Sequence, residues 1–273
     1  MNIKNEKQFS KNGYCVLPNF LNSVQLEEID QLYANLGIES LNEIYSNIKD
    51  KDTDVNQNID NTLVKIFSPS IQNHFTNYKT GGGVFLVKGT GETSVSSLHQ
   101  DWNVVDESKF QSVCVFCPLV DVDEQNGCLQ IVKGSHKWFQ NLRSFNMPSL
   151  FINFNDVKKL LCSVPAKRGD AIVFAHNVFH GSFANKTDQI RPAASVSLLS
   201  KRAKLIHYYK VEKKVNIVDA THFFNKTVHH LMKNEPQDLT IIETIEYKDS
   251  QNLTNEEFRI KYKQKTSFFS WLH

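Results

Sequence analysis

The sequence lacks the features that settle a protein's class at a glance. No apolar run is long enough to span a bilayer, and the opening "MNIKNEKQFSKNGYCVLPNF" is too broken by polar residues to act as a secretory leader. Charge of one sign is missing too. The 31 basic and 29 acidic residues leave a formal charge of +2, which gives no reason to expect nucleic acid as a partner. Phosphate-cradling glycine motifs are absent: Gly89-Thr90-Gly91 does not continue as G-x-G-x-x-G, and no G-x-x-x-x-G-K-[ST] occurs. Cysteine is scarce and unpatterned. Five residues, Cys15, Cys114, Cys117, Cys128 and Cys162, form no disulfide framework and suit a reducing compartment. Cys114-x-x-Cys117 sits in "SVCVFCPLV", which reads as a strand in which the two side chains face opposite ways, so buried thiols are expected rather than a zinc or redox pair. These absences describe a cytoplasmic protein, monomer or homodimer, with neither membrane nor nucleic acid as partner.

What is present is material for a core. Hydrophobic residues make up 40% of the 273 positions and aromatic residues 11%, enough for one large domain. After "YCVLPNFL", the residues Leu26, Ile29, Leu32, Tyr33 and Leu36 recur at helical spacing. Asn22 with Gln25 forms a capping-box pattern, and Gly37 stands where a helix stop belongs. Residues 39–62 are polar and rich in Asn and Asp, and read as loop with some helix. From residue 81 onward the texture is β: "GGGVFLVK", "SVCVFCPLV", "CLQIVK", "AIVFA" and "AASVSLLS", separated by "GTGET", "DEQNG" and "KRGD". Gly127 and Gly134 mark turns. Short strands after a helical lead-in predict an α+β, mainly β architecture, a jelly roll flanked by N- and C-terminal helices, and nothing alternates as a Rossmann sheet does. The segment 140–160 interrupts the strands at a length that suits a functional loop. The final 70 or so residues mix helix-like and strand-like pieces.

The chemistry gathers at three places. In "SSLHQDWN", His99 and Asp101 are two apart, so at a strand end they present an imidazole and a carboxylate to one side. Downstream, "RGDAIVFAHNVFHGS" offers His176 and His180. If the strand runs on, both share a face, and spacing alone does not choose between them. Two histidines and a carboxylate are the donor set of non-haem iron(II) oxygenases; the same set also suits zinc in a hydrolase. The zincin pattern is not met, because His176 is followed by Asn177 instead of glutamate. Arg191, opening "RPAASVSL", has the planar fork that binds a carboxylate such as the far end of 2-oxoglutarate.

"LHQDW", "NGCLQIVKGSHKW", "RGDAIVFAHNVFHGS" and "NKTDQIRPAASVS", in that order, resemble the phytanoyl-CoA dioxygenase family of iron(II)/2-oxoglutarate oxygenases. The opening "FSKNGYCVLPNFLNSVQLEEIDQL" is similar to that family's N-terminal strand and helix. The resemblance runs over about residues 9–200 of what is expected to be a single domain of residues 1–273, with 201–273 an extension. It implies a double-stranded β-helix, a cupin-like jelly roll, with His99, Asp101 and His180 as iron ligands. Arg191, eleven residues beyond His180, would be the 2-oxoglutarate anchor, with Ser182 and Gln100 near the cosubstrate. The 81-residue separation of the histidines is of the kind expected when facing strands supply ligands. Phe116 stands where relatives often carry tryptophan, keeping an aromatic wall without an indole N–H. His136 is expected to be structural, and His222, His229 and His230 lie beyond the matched stretch.

The resemblance implies iron(II), 2-oxoglutarate and O2 as cofactor and cosubstrates, with succinate and carbon dioxide released. Related halogenases replace the carboxylate of H-x-D with a small residue, so Asp101 points to hydroxylation, with desaturation, epoxidation and ring closure open to substrate pose. A small molecule is the expected substrate. The basic "KRAKLIHYYKVEKK" of residues 201–214 would suit an anionic one, although a solvated face is the plainer account of it. A zinc hydrolase with the same ligands and a non-catalytic jelly-roll binding module are the alternatives.

Overall fold

The computed structural model describes residues 2–3, 5–49, 52–138, 141–147, 160–221 and 240–247, together with 256 and 260. In chain order, β1 (Asn2–Ile3), α1 (Glu6–Asn12), β2 (Tyr14–Leu17), α2 (Ser23–Ala34), β3 (Ile44–Ser46) and α3 (Thr53–His74) lead to β4 (Phe75–Thr76) and β5 (Tyr78–Lys88). There follow β6 (Ser96–His99), β7 (Ser112–Pro118), β8 (Leu129–Val132), β9 (Leu161–Val164), β10 (Ala171–Ala175), β11 (His180–Ser182) and β12 (Arg191–Ser200). The last described strands are β13 (Ile206–Val211), β14 (Lys214–Asp219) and β15 (Ile241–Glu246).

A six-stranded sheet of order β2-β10-β7-β12-β5-β3 and a four-stranded sheet of order β6-β11-β8-β9 take the strands almost in alternation, with antiparallel pairing throughout. This is the expected jelly roll. Between the sheets pack Cys114, Phe116, Ile172 and Phe174 from one side and Cys128, Ile131 and Val164 from the other. The opposite face of the larger sheet, with Val115, Cys117, Val173 and Val196, packs on Ile29, Ile59, Leu63, Phe67 and Ile71 of α2 and α3. Both faces are covered, which is why β7 and β10 read as unbroken apolar runs and not as alternating ones. Cys114 and Cys117 indeed point to opposite faces, and all five cysteines are free thiols.

The helix read over "NSVQLEEIDQLYANLG" is α2, and its capping box is real. Asn22 Oδ1 accepts from the Gln25 N–H and Gln25 Oε1 from the Asn22 N–H, each at 3.0 Å. The helix stops at Ala34, so Leu36 falls beyond it, with Gly37 at φ 62°. Gly127 and Gly134 take positive φ of 74° and 78°, as the turn reading expects. The 22-residue α3 begins inside the segment read as loop with some helix, and it carries Pro69 in its interior. In the C-terminal part the described strands form a three-stranded sheet, β13-β14-β15, and helical backbone is described only at Glu256 and Ile260. This sheet packs Ile206, Tyr208 and Val215 on Met147 and Leu142 of the 140–160 segment, the rest of which, apart from 141–147 and 160, lies outside the described residues. So do His222, His229 and His230. Among the described residues no helix is long and apolar enough to cross a membrane.

Candidate metal centre

The strand β6 ends at His99, and its neighbour β11 begins at His180; the antiparallel register sets these two residues directly opposite each other. Their rings lie 4.3 Å apart between centroids, and Phe174 closes the other side of His180 at 4.7 Å. Asp101 follows two residues past the end of the strand. Its Oδ1 sits 3.7 Å from His99 Nε2 and 3.6 Å from His180 Nε2, so the three donor atoms converge without hydrogen-bonding one another. All lie within 4.8 Å, and among the described residues this is the one group of His, Cys, Asp or Glu side chains able to hold an ion. The ligand strands are hydrogen-bonded neighbours in one sheet, which corrects the expectation of facing strands. Register, not the span between sheets, brings the histidines together.

Each imidazole is oriented from behind. His99 Nδ1 lies 2.7 Å from the Ser97 carbonyl and His180 Nδ1 lies 3.0 Å from that of Val178. A carbonyl only accepts, so Nδ1 carries the proton and the Nε2 lone pair is turned toward Asp101, the arrangement that metal-binding histidines use. Burial, helped by neighbouring His99, brings the His180 pKa down to about 4 against the pull of Asp101, so it is neutral at pH 7. Burial pushes Asp101 upward, but His180, His176, His99 and Arg143 together outweigh it and hold the carboxyl below its usual value. Two imidazoles with Nε2 turned toward one carboxylate fit a divalent metal of the iron class.

The close pairing of the ligand strands explains the glycine of "HGS". A Cβ on Gly181 would stand 2.8 Å from the Ser96 carbonyl and 3.2 Å from that of Ser97, forcing β6 away from β11. Of His176 and His180, only His180 belongs to the cluster. The strand β10 ends at Ala175, and His176 turns away, its Nδ1 2.9 Å from Ser112 Oγ and its carbonyl accepting the Asp101 N–H at 2.9 Å. His136, whose ring packs on Gly13, lies outside the cluster as expected.

Arg191 opens β12 and is only 7% exposed, yet its Nε and Nη1 have no hydrogen-bond partner among the described residues. Its guanidinium lies 5.6 Å from the centre of the Phe116 ring. Phe116 and Phe174 belong to one inter-sheet cluster, so the arginine and His180 border the same layer. A buried guanidinium with two unmatched N–H groups fits a carboxylate ligand. Ser182 is buried at the end of β11. Gln100 is buried and its Nε2 donates to the Asn177 carbonyl at 2.5 Å, tying H-Q-D to the turn before His180.

Three features were not visible in sequence. Arg143 donates from Nε to the Asp101 carbonyl at 2.7 Å and from Nη2 to Glu107 at 2.6 Å, both side chains being nearly buried. Trp102, Phe145, His207 and Tyr209 form an aromatic group beside it, with Phe145 and His207 stacked at 5.6 Å. Lys88, fully buried, is the cross-strand partner of Arg191. The basic stretch 201–214 divides: His207 and Tyr208 turn inward, Lys201, Arg202, Lys204 and Lys213 are exposed, Lys210 covers Tyr247, and exposed Lys214 pairs with Glu246.

Comparison with known proteins agrees with this geometry. Residues 9–193 match phytanoyl-CoA dioxygenase (PhyH), close to the stretch that carries the motifs. Dioxygenase FUM3 of Gibberella moniliformis is 27% identical over 130 residues, covering 44% of this chain and 38% of that protein. The peroxisomal phytanoyl-CoA dioxygenase of Bos taurus is 29% identical over 131 residues, covering 44% and 37%. The matched stretch thus spans less than two fifths of these relatives. In three dimensions the chain is similar to the non-heme alpha ketoglutarate dependent carbocyclase SnoK from nogalamycin biosynthesis, with a TM-score of 0.51 at 18% identity over 75% of this chain and 87% of that one. It is also similar to the epimerase SnoN, solved in complex with Fe3+, alpha ketoglutarate and nogalamycin RO, with a TM-score of 0.51 at 16% identity over 92% and 94%. At such identities the likeness is one of fold. Over more than half its length, then, this chain is a member of the phytanoyl-CoA dioxygenase family.

Proposed function

We propose that the chain is an iron(II)- and 2-oxoglutarate-dependent dioxygenase that hydroxylates a small molecule, working as a single cytoplasmic domain of residues 1–273. One observation carries the reading: three metal donors converge beside an inter-sheet layer that also holds a buried arginine with two unmatched N–H groups. His99, Asp101 and His180 would hold the iron, whose chemistry when bound is the activation of O2 coupled to oxidative decarboxylation of 2-oxoglutarate to succinate and carbon dioxide.

The chain's own residues do the remaining work. Neutral His180 offers a free lone pair at Nε2 without first losing a proton. Asp101 supplies negative charge, and Arg143 holds its backbone from behind. Arg191 would anchor the distal carboxylate of the cosubstrate, with Phe116 beside the guanidinium excluding water. Ser182 and Gln100 complete the cosubstrate wall in this reading. A carboxylate at position 101 favours hydroxylation over halogenation, and substrate pose would decide any departure to desaturation, epoxidation or ring closure.

The test is succinate formation from 2-oxoglutarate, iron(II) and O2 in a screen of small molecules that includes acyl-CoA esters and nucleotide-linked sugars beside neutral compounds. Substrate-stimulated succinate, abolished in Asp101→Ala, is the expected outcome. Full turnover in that variant would remove Asp101 from the mechanism. Turnover that needs neither oxygen nor 2-oxoglutarate would return the site to a zinc hydrolase.

A further inference from the structure

Lys88 ends β5, and the register of β5 with β12 makes it the direct cross-strand partner of Arg191. Side chains of such a pair stand on the same face of a sheet. The result is two cationic residue types side by side, both buried. The lysine is built into its place. Its Nζ donates to the carbonyls of Ser94 and Phe183, the second at 2.9 Å. Its stem passes over Gly127, where a Cβ would stand 2.8 Å from the lysine Cδ. An uncharged amine has two N–H groups, and these two carbonyls use both. An ammonium would bring a third N–H and a full charge into a site already holding a guanidinium.

Among the described residues, the groups that face Lys88 are few. From β12 comes Arg191, and from the residue before β8 comes the Cys128 thiol, which favours the charged amine. Glu43, beside β3, and Glu92, in the short 3-10 helix before β6, are exposed and do not act on it. From the β11 side, among the described residues, comes the Phe183 carbonyl. Resting on the reading of Arg191 as cosubstrate anchor, we infer that Lys88 is held uncharged in the free protein and takes up one proton from solvent when a dicarboxylate binds at Arg191. Burial first, and the Arg191 charge second, bring the Lys88 pKa down to about 7. A bound carboxylate offsets the guanidinium charge and raises that pKa, so the ligand prefers the protonated protein. Affinity is therefore full below pH 7 and falls as pH rises above it, by up to about tenfold per pH unit. Lys88 thus acts through Arg191, as an electrostatic positioning residue.

The experiment is calorimetric titration of 2-oxoglutarate into the full chain saturated with Mn(II), without oxygen, in two non-chelating buffers of different ionisation heat at each pH, cacodylate and MES at pH 6, EPPS and Tris at pH 8.5. The cosubstrate's carboxyls are ionised throughout this range, so buffer-dependent heat counts protons taken up by the protein. The expected result is close to one proton at pH 8.5, close to none at pH 6, and weaker binding at the higher pH. Lys88→Met and Lys88→Gln should abolish both the uptake and the pH dependence. Binding without uptake in the wild type, or uptake that persists in both variants, overturns the role of Lys88 and leaves the anchor intact. Failure of the wild type to bind 2-oxoglutarate at pH 6 overturns the anchor itself, and the proton linkage with it. Where one variant fails to fold, the other carries the assignment, and absence of uptake in the wild type overturns the role of Lys88 without either.

Discussion

Arg191→Met should make the ligand-free protein more stable and its cosubstrate binding weaker. The guanidinium is buried with Nε and Nη1 unmatched among the described residues. Each unsatisfied buried donor costs about 1–3 kcal/mol. The Phe116 ring at 5.6 Å returns about 0.5–2 kcal/mol. Burial brings the arginine pKa down to about 10, which still leaves it charged at neutral pH. Methionine fills similar space without donors or charge, so the variant should gain up to about 5 kcal/mol, raising Tm by roughly 2–4 °C for each kcal/mol. Ligand narrows the gap. At a hundred times Kd, 2-oxoglutarate stabilises the wild type by about 2.7 kcal/mol. Losing a charge-assisted contact weakens binding about ten- to a hundredfold, so at the same concentration the variant gains only about 0.4–1.4 kcal/mol. Scanning calorimetry of both proteins, with Mn(II) and with and without 2-oxoglutarate, measures all four values. A variant that melts lower without ligand and shows the wild-type shift with it would refute the reasoning.

Other perturbations follow from the same structure. Arg143→Met strands the Glu107 carboxylate in a nearly buried site and should cost about 3–5 kcal/mol by urea midpoint. The double variant Arg143→Met/Glu107→Leu should recover more than half of it, and a single variant within about 1 kcal/mol of wild type would show that the pair is not isolated from water. Gly181→Ala should push β6 off β11 and weaken Co(II) binding about ten- to a hundredfold with little change in far-UV circular dichroism; wild-type affinity would mean that the strands absorb a methyl group. Burial lowers His207 to about 4, and burial with Lys137 lowers His136 to about 4, both from an ordinary 6.5. The unfolded chain then binds protons that the folded one refuses. The stability from keeping these rings neutral is complete above about pH 6.5 and is lost toward pH 4, at about 2 kcal/mol each by pH 5. Denaturant midpoints that stay flat from pH 7 to 5 would contradict this.

Much of the site was legible because its residues sit in short local patterns. H-x-D needs only a strand end to turn both groups to one side, and β6 supplies it. The buried strands were equally plain, since β7 and β10 are covered on both faces and apolar throughout. His176 and His180 were inseparable by spacing because the turn after Ala175 has no glycine or proline to announce it. The helix α3 was obscured by its Asn and Asp content and by Pro69, although Ile59, Leu63, Ile66, Phe67 and Ile71 trace a helical stripe. Arg143 and Lys88 left no sequence signal. Their roles come from acceptors far away in the chain, the Asp101 carbonyl for one and the Phe183 carbonyl for the other, which only the fold brings close. The C-terminal sheet was hidden for a related reason: β13 and β14 show clear apolar positions, but β15 is largely exposed, so its β-branched residues show no buried face and sit in a tail that mixes helix-like and strand-like pieces.

The central claim is that one site holds both iron and 2-oxoglutarate. Its most direct test is anaerobic titration of the protein with iron(II) and then 2-oxoglutarate, watched by visible absorption. Chelation of the keto acid by protein-bound iron should produce a metal-to-ligand charge-transfer band that saturates at one equivalent and is lost in Asp101→Ala. A wild-type protein that binds iron(II) yet develops no such band at saturating 2-oxoglutarate would contradict the account.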